Sequence, residues 1–221
     1  MPYRSILLAL LLITAACGET TERPAAGSTP EPPAAGGEPA ASTPVWRSNP
    51  AEGVTLTPGS PLVVETGPHA LLWEKGAPDL APPYTVRAEM RKRAGRLHEG
   101  YGIVFGGTGL EGGEDAQSYS YFLVRGDGSF LVKRRSGAQT PVVRDWTRHP
   151  RINRDTDNSG RSNVLEVQVG ADSVTFAVNG AEVARVPSAE LAVQGRAGLR
   201  VAHDVVVEVV GFSAAADPVA P

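Results

Sequence analysis

Cysteine is almost absent from this 221-residue sequence: Cys17 stands alone. An intramolecular disulfide is therefore excluded, and any fold must rest on its apolar core. The apolar run from Ile6 to Ile13 falls well short of the roughly 20 residues that a membrane-spanning helix needs. Neither sign of charge dominates. Between Val45 and Ala214 there are 19 basic and 19 acidic residues, a balance that argues against a nucleic-acid partner. Eighteen arginines against three lysines read as the bias of a GC-rich genome. Helical periodicity is missing almost everywhere. So are the metalloprotease pattern HExxH and the nucleophile elbow GxSxG, which removes sequence support for those two hydrolytic chemistries.

What is there begins with Cys17. Arg4, the apolar run and the small residues Ala15-Ala16 read as a secretory signal peptide over residues 1–16. A cysteine immediately after the cut resembles the lipobox of bacterial lipoproteins, whose new N-terminal cysteine carries a thioether-linked diacylglycerol and an amide-linked acyl chain such as palmitate. That resemblance implies an extracytoplasmic protein whose membrane partner is reached through lipidated Cys17. Two or three acyl chains, at ~0.8 kcal/mol per buried methylene, make a stable anchor. Gly18 stands where an aspartate would favour the inner membrane, so the outer membrane is expected if the cell has two.

Residues 17–44 follow as a tether. From Gly18 to Pro44 there are 6 Pro, 6 Ala and 4 Gly, with no aromatic and no large aliphatic side chain. Such a segment cannot bury enough apolar surface to offset the entropy of ordering, so a disordered linker is expected. The character changes at Val45. Residues 45–214 suffice for one domain with its own core, and 215–221 are expected to be a disordered tail.

Alternation with period two fills that domain. Tyr84, Val86, Ala88 and Met90 alternate with polar residues, as do Leu165, Val167 and Val169, then Val174, Phe176 and Val178, then Val205, Val207 and Val209. Gly126-Asp127-Gly128 and Asn179-Gly180 supply the positive φ that tight hairpins demand. Shorter strands are expected at Val54–Thr57, Leu62–Glu65, Ala70–Glu74, Gly102–Phe105 and Gly198–Val201. About eleven short strands without a convincing helix predict an all-β antiparallel β-sandwich.

The order of motifs is also familiar. Glu99-Gly100-Tyr101-Gly102-Ile103-Val104-Phe105 precedes Tyr119–Val124 and the turn at Gly126-Asp127-Gly128. Asp145-Trp146-Thr147, Asn163–Val167, Val174–Gly180 and Gly195–Val201 then follow. From about Ala81 to Ser213 this resembles the concanavalin A-like, laminin-G-like jelly rolls of bacterial extracytoplasmic proteins, including the family named for 3-keto-disaccharide hydrolase. The resemblance implies a jelly-roll fold. The Asn-Ser-Gly stretch leading to an arginine, expected of hydrolase-like members, has no counterpart at Glu99–Gly106.

Four constellations bear on chemistry. Asp155, Asp157, Ser159, Gly160 and Glu166 have the spacing of a calcium loop, oxygens at positions 1, 3 and 5 and a carboxylate at 12. Yet no helix flanks them and Glu166 falls in a strand, so a solvated loop without a cofactor is expected. Gly107-Thr108-Gly109-Leu110-Glu111-Gly112 matches GxGxxG, but a strand rather than a helix follows it, which makes it a hairpin loop. Arg91, Lys92, Arg93 and Arg96 read as a solvated, charged sheet edge. Finally, Tyr119, Tyr121 and Arg125 project together, with Lys133 and Arg135 across the turn and Trp146 beyond. Flat aromatic faces and multidentate polar groups are what a glycan site needs. The alternate set Ser120, Phe122 and Val124 is apolar too, so the sequence leaves open which face is core. Tyr121 is expected in the core, and Tyr119 and Arg125, nearer the strand ends, at a groove.

A non-catalytic, monomeric carbohydrate-binding lipoprotein is the reading these features favour. A glycan-active hydrolase and a structural or protein-interaction lipoprotein are the alternatives. Anchoring is tested at one residue: Cys17→Ser should abolish incorporation of labelled palmitate and leave an unprocessed precursor. Unchanged membrane retention and mature mass would refute it.

Overall fold

The computed structural model describes residues 44–155 and 160–218. Two seven-stranded antiparallel sheets face each other. In the first, β1 (Trp46–Asn49) pairs with β4 (Ala70–Glu74), and β4 with β13 (Arg196–Val201). Then come β6 (Gly100–Thr108), β7 (Ser118–Arg125), β8 (Ser129–Ser136) and β9 (Val142–Arg148). The second sheet runs β12 (Ala181–Pro187), β11 (Ser173–Val178), β10 (Asn163–Val169) and β5 (Tyr84–Ala94). It continues through β14 (Val205–Ala216), β3 (Leu62–Thr66) and β2 (Val54–Thr57). Early and late strands interleave in both sheets, so the antiparallel sandwich expected from the alternation is what forms.

Each alternating set puts its apolar members between the sheets. Tyr84, Val86, Ala88 and Met90 of β5 are fully buried there, as are Leu165 and Val167 of β10. Phe122 of β7 meets Phe176 of β11 with ring centroids 5.2 Å apart, and Phe105 lies 6.0 Å from Phe176. The hairpins form as the turn residues demand. Asn179 and Gly180 take φ of 51° and 77° between β11 and β12. Asp127 Oδ1 accepts the Ser129 N–H at 3.0 Å, locking the β7–β8 turn.

Two strands escaped the sequence reading, β1 and β9, and both are edges of the first sheet. An edge strand buries little, and Val142-Val143-Arg144-Asp145-Trp146-Thr147-Arg148 accordingly shows no clean alternation. At the other end, β14 carries its pairing through Ala216, opposite Tyr84, two residues past the boundary expected at Ala214.

The basic stretch needs correction. It ends β5, which lies in the middle of the second sheet with β10 and β14 on either side, so it is no edge. Arg91 and Arg93 point outward and both pair with Glu208 of β14. Lys92 falls on the inward row and is 4% exposed. Its Nζ donates to the Arg96 carbonyl at 2.8 Å and lies 2.9 Å from Asp155 Oδ2. Among the described residues neither Asp155 oxygen receives an aligned hydrogen bond, so its carboxylate is met by charge attraction to Lys92, while its backbone N–H donates to the Gly126 carbonyl at 2.9 Å. Removing one partner strands the other charge, which costs about 3–5 kcal/mol in buried pairs, whereas an apolar replacement of both is far milder. Lys92→Ala should therefore destabilise by that order, and Lys92→Met/Asp155→Leu by much less. Equal losses in urea unfolding of the two variants would contradict this.

Candidate functional site

The position of Phe122 decides what β7 shows to the outside. Phe122 and Val124 enter the inter-sheet core, with Ser120 on the same row bonded to the Ala192 N–H at 2.8 Å. Residues two apart on a strand share a face. Tyr119, Tyr121 and Leu123 therefore lie together on the outward face of the first sheet, in a second apolar cluster with Leu71, Trp73, Val104, Leu110 and Leu131. This corrects the expected split of Tyr121 into the core and Tyr119 into a groove. The first sheet is apolar on both faces, unlike the polar-out alternation of a sheet with one solvated side.

Strand register assembles that face. Arg200 of β13 is paired with Leu71 on one side and Gly102 on the other. Gly102 faces Leu123, and Leu123 faces Leu131. One row over, Val104 faces Tyr121 and Tyr121 faces Lys133, and beyond that Tyr119 faces Arg135. All six residues expected at a ligand site, Tyr119, Tyr121, Arg125, Lys133, Arg135 and Trp146, thus meet on the β7–β9 side of one surface. Three further residues of that surface were missed by sequence reading: Arg200, Trp73 and Arg47. They come from β13, β4 and β1, far away in the chain, and only the pairing of those strands brings them near.

Cations and rings are interleaved. The Tyr119 hydroxyl oxygen accepts from Arg135 Nε at 3.1 Å and from Arg200 Nη1 at 3.0 Å. Arg200 also lies over the Tyr121 ring, its guanidinium carbon 5.0 Å from the centroid. At the other end Arg125 lies 4.3 Å from the centroid of Trp146, in cation–π range. Trp146 is half-buried, and its ring occupies space left open by Gly100, where a Cβ would come within 3.1 Å. Tyr119 and Tyr121 are only 1% and 5% exposed. The tyrosines form the floor of the face, and Trp146 is its half-exposed aromatic.

Charges shape the proton equilibria here. Burial, then the nearby Arg200 and Arg135 guanidiniums, hold the Lys133 ammonium below its usual range, against a smaller pull from Asp145. Burial pushes the Tyr121 hydroxyl up, although Arg200 draws it back. For Asp127 burial acts upward, but its hydrogen bonds from Arg125 and Ser129 outweigh this and hold the carboxyl low. Past Trp73 the sheet borders a cleft of about 610 Å³ lined by Arg47, Trp73, Lys75, Glu111 and Arg196.

The other constellations do not converge. Asp155 faces inward-pointing Lys92, while Glu166 pairs with Arg87 at 3.3 Å on the opposite face of the second sheet. Asp157 and Ser159 lie outside the described residues. The calcium spacing is thus broken at its two described carboxylates, and no group of three His, Cys, Asp or Glu gathers among the described residues. The glycine-rich segment leads from β6 through a single 3-10 turn at Glu114–Ala116 into β7, so no α-helix N-terminus follows it. Its acids are engaged: Glu111 with Arg196 at 3.0 Å, and Glu114 with Arg135 at 3.3 Å.

No protein-family profile matches this chain. No curated protein matches it either. Solved structures do. The carbohydrate binding module CBM66 from Bacillus subtilis superposes with a TM-score of 0.59 at 11% identity, covering 78% of this chain and 96% of its own. A protein of unknown function with a galectin-like fold, also from Bacillus subtilis, gives 0.57 at 12% identity, covering 76% and 88%. The exoplasmic/lumenal domain of VIP36, bound to Ca2+ and Man3GlcNAc, gives 0.54 at 10% identity, covering 80% and 85%. At such identities the likeness establishes the fold alone: a concanavalin A-like jelly-roll sandwich.

His69 borders the cationic end of the face. Its ring is 3.2 Å from that of His203, and Glu114 lies 3.7 Å away. Burial, then the charges of Arg200 and His203, lower its pKa from 6.5 to about 4, with Arg135 adding and Glu114 opposing. The unfolded chain therefore takes up this proton first. The stability that neutral His69 contributes is complete above pH 6.5 and is lost as pH falls from 6.5 to about 4. In urea unfolding, His69→Gln should lose less stability than wild type between pH 7.5 and 4.5. An identical pH slope in both would count against this assignment.

Proposed function

We propose that the sandwich is a non-catalytic carbohydrate-binding module, carried outside the cytoplasm on a lipid anchor at Cys17. The observation that carries this reading is the outward face of the first sheet, where Trp146, Arg125, Lys133 and Arg200 stand together over a tyrosine floor. An indole ring offers a flat apolar surface to sugar C–H groups, and guanidinium forks offer paired donors to oxygens. β-Strands hold all of these side chains, so little needs to be ordered on binding. Two proteins of similar fold support this reading: CBM66 is a carbohydrate binding module, and the VIP36 domain is seen bound to Man3GlcNAc.

The carboxylate paired with Arg125 is not tuned as a general acid. A glycoside-cleaving general acid needs a raised pKa so that it is protonated at work. Asp127 is shifted the other way and is fixed by Arg125 at 2.8 Å. It serves the turn and orients Arg125.

Trp146 is the residue on which to test this. Stacking on an aromatic ring contributes about 0.5–1.5 kcal/mol beyond the area it buries, which is roughly two- to thirteenfold in affinity. Trp146→Ala should weaken glycan binding by at least that factor in calorimetric titrations of the full chain in mild detergent, with a cooperative unfolding transition retained. Failure of the wild-type protein to bind any of a broad set of polysaccharides would overturn the reading.

A further inference from the structure

We infer that this face selects acidic saccharides, polymers whose sugars carry carboxylate or sulfate groups. The inference rests on the carbohydrate reading above and adds the substrate class to it.

The argument starts from the way the cations are held. Four of them, Arg125, Lys133, Arg135 and Arg200, sit on three strands of one sheet face, within a domain whose basic and acidic residues are equal in number. Their concentration here is therefore local. Arg125 is neutralised by Asp127 at 2.8 Å, and Arg135 is met at 3.3 Å by Glu114, whose side chain is 60% exposed. Among the described residues no carboxylate comes within ion-pairing distance of Arg200 or Lys133.

What positions Arg200 instead is one neutral oxygen, which it shares with Arg135; Arg135 is held besides by the Gly137 carbonyl and Glu114. The Tyr119 hydroxyl accepts from both guanidiniums, and its ring lies in the apolar floor. A phenol fixes the direction of Arg200 without cancelling its charge, as a carboxylate in the same place would do. Arg200 is further oriented by the Tyr121 ring beneath it. Its remaining N–H groups form no hydrogen bond with any described residue. Lys133 stands on the paired position to Tyr121, where burial and then repulsion from Arg200 and Arg135 lower its affinity for a proton.

Like charges crowded over an apolar floor raise the energy of the empty face. An anion seated among them removes that repulsion and gains charge-assisted hydrogen bonds, bidentate ones from a guanidinium to a carboxylate or sulfate. A neutral sugar offers hydroxyls only and leaves the repulsion in place. This difference makes the site discriminate. The half-buried Trp146 then takes the apolar face of a neighbouring sugar unit.

The test titrates the full chain, in mild detergent, with polygalacturonate, dextran sulfate, dextran and levan at 50 mM and 300 mM NaCl. At least one acidic polymer should bind tenfold or more tighter than both neutral ones, and high salt should weaken it. Preference for polygalacturonate assigns carboxylates as the recognised group, and preference for dextran sulfate assigns sulfates; either supports the inference. Arg200→Gln and Lys133→Gln should each reduce acidic binding about tenfold. Arg185→Gln, on the other sheet and exposed beside Glu182, should not. Since Arg200 also bonds Tyr119, Lys133→Gln separates lost charge from lost packing. Equal weakening by Arg185→Gln would mean general charge attraction and overturn the inference. Tight, salt-insensitive binding of dextran or levan alone would overturn it too, while leaving the carbohydrate reading intact. Binding of no polysaccharide would remove both.

Discussion

Phe122 and Phe176 touch across the two sheets, ring centroids 5.2 Å apart, and the arrangement of the outer surface follows from that contact. β7 has two apolar faces, and either could have turned inward. Once Phe122 packs against Phe176 of β11 and Val124 joins the inter-sheet core, the period of two sends Tyr119, Tyr121 and Leu123 the other way. The register with β6, β8 and β13 then fixes which side chains surround them. Burying large aromatic and aliphatic side chains contributes about 1.5–3 kcal/mol each, so a one-residue slip that exchanged the faces would sacrifice the inter-sheet core. The surface pattern is a consequence of the core pattern.

The protein keeps buried cations in two contrasting ways. Lys92 closes one end of the sandwich with an ammonium that meets Asp155 and the Arg96 carbonyl, so its charge is answered from within. On the outward face Arg135 and Arg200 converge on a phenol oxygen, and while Glu114 answers Arg135, no carboxylate among the described residues pairs with Arg200. The first arrangement is structural. The second keeps positive potential at the surface, and His69 beside it is held neutral by burial and the same arginines.

The sequence was legible where chemistry is local. Alternation in β5, β10, β11 and β14, and the turns at Asp127-Gly128 and Asn179-Gly180, announced strands and hairpins because side-chain period and φ preference act within a few residues. Edge strands β1 and β9 were not legible, since they bury too little to need a pattern. Nor was the role of Arg91–Arg96, because strand order alone makes β5 central. The calcium spacing, regular along the chain, is not matched in space at its two described carboxylates, because Asp155 pairs with Lys92 and Glu166 with Arg87.

The β7–β9 half of the candidate site was readable, because hairpin neighbours in sequence are neighbours in space. The other half was not. Arg200, Trp73 and Arg47 enter through β13, β4 and β1, whose pairing depends on how distant strands are ordered in the sheet. Composition and alternation by themselves determined an all-β sandwich standing on an apolar core without disulfides. Which face of β7 is core, and which arginines meet over Tyr119, was decided only by the tertiary structure, because two apolar faces are equivalent until a second sheet packs against one of them.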